Sequence, residues 1–427
     1  MTLTTLRPLS PLPSRQAPVR TLAERLARDG VLARLAGVRG GRLTLTENGR
    51  THVLGTWTGL EARLEVHDAR FWFDVATGGA LGAAESYARG EWSCDDLTVL
   101  VRILARDRDT LAGLERGLAK LRTPALRALH ALQSNTRHGS RRNIAAHYDL
   151  GNDFFALFLD RTRMYSCALW PRPEATLDEA AAHKLDVVCD KLGIAPGMRV
   201  LEIGTGWGGF ALHAARRGAH VTTTTISHEQ AAFAGTVFAE AGLSDRITLL
   251  ETDYRELPAL GQTFDRVVSI EMIEAVGYDH LDEYFQVIAR LLAPDGLALV
   301  QAITIPDRDE RTYRANVDFI QKHIFPGSAL PSLRAITAAV GGTPLRIEQT
   351  EDLAPHYART LREWQTRFTA HEAAIAGMGF DDTFRRLWQW YFCYCEAGFL
   401  ERTVGLLQLT LAGPRAGAGI TQPVRQR

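Results

Sequence analysis

At 427 residues the chain is long enough for two or three domains, each with its own core. Hydrophobic residues make up 46% and charged residues 23%, and 49 basic residues balance 49 acidic ones, which leaves no electrostatic case for a nucleic-acid partner. Cys94, Cys167, Cys189, Cys393 and Cys395 lack C-x-x-C spacing, which argues for reduced thiols and against a zinc site, so no metal is expected.

In chain order, residues 1–16 are rich in Pro and Ser and are expected to be disordered. They lack the apolar core of a signal peptide, and no later apolar run approaches the roughly 20 residues of a membrane span. Any membrane contact is therefore expected to be peripheral, from the cytoplasmic side. Residues 17–115 read as a small α+β domain. Leu22, Leu26, Val31, Leu32 and Leu35 have helical spacing, and an alternating stretch turns at Asn48-Gly49, a hairpin signal. Residues 60–79 supply two more strand candidates, and the run from Ala80 to Asp107 reads helical with a break near Gly90. Phe71, Trp72, Phe73 and Trp92 are read as core. Residues 116–142 are basic and amphipathic, either a solvated linker helix or a surface for anionic headgroups. Lysine occurs only at 120, 184, 191 and 322, which reflects an Arg-rich composition.

A catalytic domain is expected over 143–413. It opens on an aromatic stretch with His147, Tyr148, Phe154, Phe155, Phe158, Tyr165 and Trp170. Strands are expected at 199–203, 220–227, 247–253, 264–274 and 297–305, alternating with helices. That alternation predicts an α/β class with a doubly wound parallel sheet, whose ligands bind at the strand carboxyl ends. An excursion over 306–340 is placed to cover the pocket. Residues 357–403 read as a long helical stretch, residues 405–413 as the closing strand, and 414–427 as a disordered tail.

The stretch Arg199–Phe210, RVLEIGTGWGGF, organises this domain. A buried strand runs into Gly204, Gly206, Gly208 and Gly209 and then into a helix N-terminus, a polar ligand pocket that needs glycines for close backbone approach. Phe210 stands where a phosphate loop needs Lys-Ser/Thr. Glu202, inside the strand, would repel a pyrophosphate but suits an ammonium or sulfonium group. This E-x-G-x-G pattern resembles the opening of class I S-adenosylmethionine (SAM) methyltransferases. Glu202, Gly204, Thr205, Gly206, Gly208 and Gly209 are candidates for the amino-acid part of SAM. Thr225, Ser227 and Gln230 stand where an acid often binds the ribose. Asp253 and Tyr254 are candidates for the adenine, one accepting from its amine and the other stacking.

Longer motifs carry a closer resemblance: HYDLGNDFF and YSC within 147–167, VLEIGTGWGG at 200–209, TISHEQ at 225–230, DYREL at 253–257, MIEAVG at 272–277 and IFPGSALPS at 324–332. The chain resembles the cyclopropane-fatty-acyl-phospholipid synthase family, which includes mycolic acid cyclopropane synthases and fatty acid methyltransferases. The resemblance implies that an alkene attacks the SAM methyl group, leaving a carbocation that must then lose a proton. It implies a bicarbonate ion as base, caged by Cys167, Glu274, Ile303 and Tyr357. A fifth position, often His, is Gln301 here, which cannot act as an ionisable relay. Tyr165 and Ser166 match SAM contacts. Cys395 matches a cysteine once proposed as nucleophile, although a thiol in an aromatic helix is more often an inert core residue. Glu271 is read as facing the other side of its strand from Glu274, in a structural role or near SAM.

The expected activity is transfer of a methylene unit across a cis double bond of an unsaturated phospholipid acyl chain at the membrane surface, by an enzyme whose relatives suggest a homodimer. The alternatives are a methyltransferase giving methyl- or methylene-branched chains, a silent lipid-binding protein, and a methyltransferase for a soluble small molecule.

Overall fold

The computed structural model describes residues 21–107 and 150–417. The expected segments 1–16 and 116–142, together with His147 and Tyr148, lie outside the described residues. The described residues fall into two compact units, both discontinuous in sequence. The first takes residues 21–107, Thr312–Ile324 and Leu361–Thr403, and the second takes residues 150–311, Phe325–Thr360 and 404–417.

In the first unit, α1 (Leu22–Ala36) starts on a capping box in which Thr21 accepts from the Glu24 amide and the Glu24 side chain accepts from the Thr21 amide. β1 (Arg42–Glu47) and β2 (Arg50–Gly55) form the hairpin. Asn48 and Gly49 both take positive φ, as a two-residue turn of this hand requires. β3 (Glu61–Val66) pairs in parallel with β1, and β4 (Trp92–Cys94) closes the order β2-β1-β3-β4. The second expected strand in 60–79 is instead the start of helix α2 (Arg70–Ala88), which buries Phe71, Trp72 and Val75 on one side. Trp72 donates Nε1 to the buried Glu47 at 2.7 Å, and Arg28 donates to the other carboxylate oxygen at 2.9 Å. The expected break near Gly90 is wider, with β4 lying between α2 and α3 (Leu97–Arg106).

The late helical stretch Leu361–Thr403, inside the span expected as the catalytic domain, groups with this unit. Trp390, on the helix Asp382–Leu400, packs against Tyr87 and Trp92, and Glu396 of that helix accepts from Thr98 at 3.0 Å. Arg102 and Arg106 both donate to Glu401 at 2.7 Å. The excursion over 306–340 divides, with Thr312–Ile324 going to the first unit.

The second unit is built on β5 (Arg199–Ile203), β6 (His220–Thr225), β7 (Ile247–Glu251), β8 (Phe264–Ile270), β9 (Leu292–Thr304), β10 (Arg346–Asp352) and β11 (Gly405–Ala412). Their order is β10-β11-β9-β8-β5-β6-β7, parallel from β7 to β9, with β11 antiparallel to both neighbours. β10 was not expected from the sequence. Adjacent residues of the central strands face opposite cores. Leu201 and Val267 pack with Phe285 and Ile336 on one side, and Val200 and Val268 with Leu185, Phe210 and Phe238 on the other. Burial on both faces explains why these strands read as continuous apolar runs. The expected disordered tail is corrected at its start: the Arg415 amide donates to Pro294, and Arg346 donates to the Ala416 carbonyl at 2.9 Å. Residues 418–427 lie outside the described residues.

β5 and β8 are neighbours at the centre, and the winding direction reverses between them. This is the topological switch point, where the carboxyl ends of a doubly wound sheet leave a crevice.

Candidate active site

The crevice starts at the end of β5. Gly204, Gly206 and Gly208 have φ values of 101°, 53° and 88°, and the amides of Gly204 and Thr205 both donate to the Thr224 carbonyl on β6. A Cβ at Gly208 would strike the Phe238 ring at 2.6 Å, and one at Gly209 would strike Met164 Sδ at the same distance. A Cβ at Gly206 would meet nothing within 4 Å, so this glycine faces open space. Glu202 is buried. Its Oε2 accepts from Thr223 at 2.6 Å, and Thr223 and Thr205 join hydroxyls at 2.7 Å. Burial pushes the Glu202 carboxyl up to about 8, against the pull of the Thr223 hydroxyl and the Lys184 charge.

At the end of β6 three candidates hold one another. Thr225 donates to Gln230 Oε1 at 2.9 Å, the Ser227 amide donates to Thr225, and Ser227 caps the next helix through the Gln230 amide. After β7, Asp253 is buried in a two-pronged pair with Arg255, at 2.8 Å to Nε and 2.6 Å to Nη2. Tyr254 is largely buried, and its ring meets Tyr284 in a T-shaped contact with centroids 5.6 Å apart.

The end of β8 departs furthest from the sequence reading. The strand stops at Ile270, and Glu271 takes φ 51°, a conformation that side-chain-bearing residues avoid and that clusters at functional sites. A 3-10 turn at Ile273–Ala275 then carries Glu274. The strand does not run to 274, so the two carboxylates do not point to opposite faces. Glu271 Oε1 accepts from the Cys167 amide at 2.9 Å and from Gln301 Nε2 at 2.7 Å, and Oε2 accepts from the Tyr357 hydroxyl at 2.6 Å. Glu274 Oε1 accepts from the Ile303 amide at 2.5 Å, while its buried Oε2 has no partner among the described residues. Burial and the nearby Glu271 charge push the Glu274 carboxyl up to about 8. Burial also raises Glu271, but its three donors and the Lys184 charge oppose that. Of two carboxylates that cannot both ionise, Glu271 is the better-supported anion and Glu274 the neutral acid.

Gln301 is fully buried and held from both ends: it donates to Glu271 and accepts from Gln408 Nε2 at 3.0 Å. Gln408 in turn accepts from Lys191, which also pairs with Glu351. The Cys167 thiol is buried, points at the Ala168 carbonyl and is held well above its usual range by burial, so this cysteine acts through its backbone N–H. Ser166 accepts from Lys184 Nζ at 2.6 Å. Lys184 is wholly buried. Burial lowers its ammonium, while Glu271, Asp160, Cys167 and Glu202 support it. Sequence reading missed both Glu271 as a centre and Lys184. The signal for Lys184 was its rarity, as one of four lysines in a chain that otherwise uses arginine. Tyr165 stands within an aromatic group, its centroid 5.3 Å from Phe155 and 6.0 Å from Phe325, and Phe155 lies 5.1 Å from Trp207.

Cys395 lies in the first unit on the helix Asp382–Leu400, half-buried, with its thiol raised by burial. The residues gathered around Glu271 all belong to the second unit.

The chain is similar to several known proteins. The family model described as mycolic acid cyclopropane synthetase matches residues 135–409. Tuberculostearic acid methyltransferase UfaA1 of Mycobacterium tuberculosis is 44% identical over 343 residues, covering 78% of this chain and 79% of its own. Cyclopropane-fatty-acyl-phospholipid synthase of Escherichia coli is 36% identical over 355 residues, covering 82% and 88%. Among solved structures, mycolic acid cyclopropane synthase CmaA1 complexed with SAH and CTAB aligns with TM-score 0.59 and 31% identity, covering 64% of this chain and 98% of that one.

Proposed function

The chain belongs to the mycolic acid cyclopropane synthetase family of SAM-dependent methyltransferases, and from that premise we propose that it adds a one-carbon unit from SAM to a cis double bond of an unsaturated phospholipid acyl chain. The observation that carries this reading is the pair of buried carboxylates, Glu271 and Glu274, at the switch point beside the glycine loop. Methylation of a nitrogen or oxygen releases a proton that solvent can accept, whereas a carbocation formed on an alkene must lose its proton away from water, which would trap it.

The residues present fit SAM. Gly206 faces open space, and the buried Glu202 carboxylate waits for a cationic group. SAM supplies an electrophilic methyl group when bound. The chain's residues do the rest. Glu202 and the loop orient the cofactor's polar end, and the aromatic group of Phe155, Phe158, Tyr165 and Phe325 is the one we assign to stabilising a developing carbocation. Membrane association and a homodimer are part of the proposal and come from the resemblance alone; no helix among the described residues is long and apolar enough to cross a membrane.

A second reading has specific support. UfaA1 is named as a methyltransferase, and Gln301 replaces a position that is often His, so a methyl- or methylene-branched chain is the competing product. The test is SAM turnover on vesicles of unsaturated phospholipid, followed by gas chromatography–mass spectrometry of the fatty acid methyl esters. Mild hydrogenation reduces a methylene branch and spares a ring. No turnover on vesicles would refute both lipid readings.

A further inference from the structure

We infer that this enzyme carries its proton acceptor in its own chain, the Glu271 carboxylate, in the place where the family resemblance puts a bicarbonate ion. The inference deepens the function proposed above and rests on it.

The argument is one of donors. A bicarbonate here would be held by the Cys167 amide, the Tyr357 hydroxyl, the side chain at 301 and the Glu274–Ile303 corner. In this chain three of those groups are already committed. The Cys167 amide has one hydrogen, and it goes to Glu271 Oε1 at 2.9 Å. The Tyr357 hydroxyl has one hydrogen, and it goes to Oε2 at 2.6 Å. Gln301 Nε2 reaches Oε1 at 2.7 Å. A carboxylate and a bicarbonate present the same pair of planar oxygens to such donors, so Glu271 supplies what the ion would and leaves it nowhere to bind. The residues present do not fit a bicarbonate.

The backbone supports this. Glu271 is held at φ 51°, which costs a side-chain-bearing residue free energy and persists only where the surroundings hold it. That twist carries the carboxylate off the strand and into the donors of Cys167, Gln301 and Tyr357. Gln301 fits the same account. Its amide cannot titrate, so it donates to Glu271 at any pH.

The step balances. The alkene's electron pair forms a bond to the methyl carbon as the C–S bond breaks, and S-adenosylhomocysteine leaves. A C–H bond of the resulting cation then breaks. Its proton goes to a Glu271 oxygen, and its electron pair closes the ring, or forms a C=C bond in the branched product. No oxidant or reductant is consumed. For the ring, the C–H that breaks is on the transferred methyl group, whose carbon then bonds to the cationic carbon; for the methylene branch, a 1,2-hydride shift first moves the cation to the methyl-bearing carbon, and the same methyl group then loses the proton. Because the proton leaves a carbocation, a carboxylate with three hydrogen bonds is base enough, and position matters more than basicity.

The experiment compares the wild type with Glu271→Gly, a replacement that suits the positive φ, in buffer stripped of carbon dioxide and then with added bicarbonate. The wild-type rate is expected to be the same in both. The variant is expected to lose about a hundredfold or more in stripped buffer and to recover with bicarbonate in a saturable way, because the three donors are free to bind it. A wild type that needs bicarbonate, or a variant that keeps its rate without it, overturns the inference. Binding of ¹³C-labelled bicarbonate, followed by NMR, gives a readout that does not depend on turnover. The wild type should not bind it, and the variant should, with S-adenosylhomocysteine binding as the check of folding. Saturable binding by the wild type, or none by a folded variant, overturns the inference even if the lipid substrate proves wrong. Absence of lipid turnover by the wild type refutes only the proposed function.

Discussion

Gln301 and Gln408 are register partners across β9 and β11, and their side-chain amides are joined head to tail, Gln408 Nε2 donating to Gln301 Oε1 at 3.0 Å. Lys191 sets the direction. An ammonium only donates, so Gln408 turns its oxygen to Lys191 and its NH2 to Gln301, and Gln301 must then turn its NH2 to Glu271. Gln408→Leu should leave the Gln301 oxygen buried without a donor, at a cost of about 1–3 kcal/mol in stability. Turnover should fall further than that loss explains, because Gln301 is then free to flip. Thermal unfolding and kcat, measured on the same preparation, check this.

Glu274→Gln should cut turnover sharply and leave SAM affinity near the wild-type value. It should also change the pH dependence of stability. Glu274 is raised from 4.5 to about 8 in the folded protein, so between those pH values the unfolded chain sheds this proton and the folded one keeps it. Stability from this group is complete below about pH 4.5 and lost by about pH 8. The variant lacks that loss, so its Tm should rise relative to the wild type from pH 5 to pH 8. A constant difference would show that the carboxyl is ionised throughout.

SAM binding should be pH-dependent through Glu202, which Thr223 and the Lys184 charge face. A cationic ligand selects the ionised carboxylate, whereas the free protein holds the proton up to about 8. Affinity should therefore tighten with rising pH, by up to about tenfold per unit, and level off above 8. Calorimetry in buffers of different ionisation enthalpy should detect proton release. Glu202→Gln should abolish the slope.

Two glycines of the loop should separate binding from folding. Gly206→Ala adds a Cβ that meets no atom of the chain, so it should cost about 1 kcal/mol for its positive φ and weaken SAM binding much more. Gly208→Ala drives a Cβ into the Phe238 ring at 2.6 Å and should chiefly destabilise the fold. Denaturant unfolding and SAM titration on both variants would show the contrast.

Cys395→Ala should keep turnover. The thiol is raised by burial, so it is not a nucleophile at neutral pH, and it lies in the unit that does not carry Glu271. Loss of activity with SAM binding intact would return this cysteine to the mechanism.

Much of this was legible in the sequence. The doubly wound sheet followed from apolar runs alternating with helices, and the glycine loop from the residues at 204–209. The carboxylate pair was not, because FDRVVSIEMIE reads as one strand and nothing in its pattern says that Glu271 leaves the ladder. A left-handed Glu has no signature in composition or period; only the neighbours Cys167, Gln301 and Tyr357, far away in sequence, select it. The membership of 361–403 was hidden too, because a helix pattern shows an apolar face and not the partner that covers it.

Both units borrow from late in the chain, the first taking Leu361–Thr403 and the second taking β11, which enters between β9 and β10. On the ribosome, then, neither unit can finish folding until nearly all of the protein has been made. The early strands must wait through most of synthesis with an open sheet edge at β9, where chaperones would find their substrate and where a prematurely truncated product would fail.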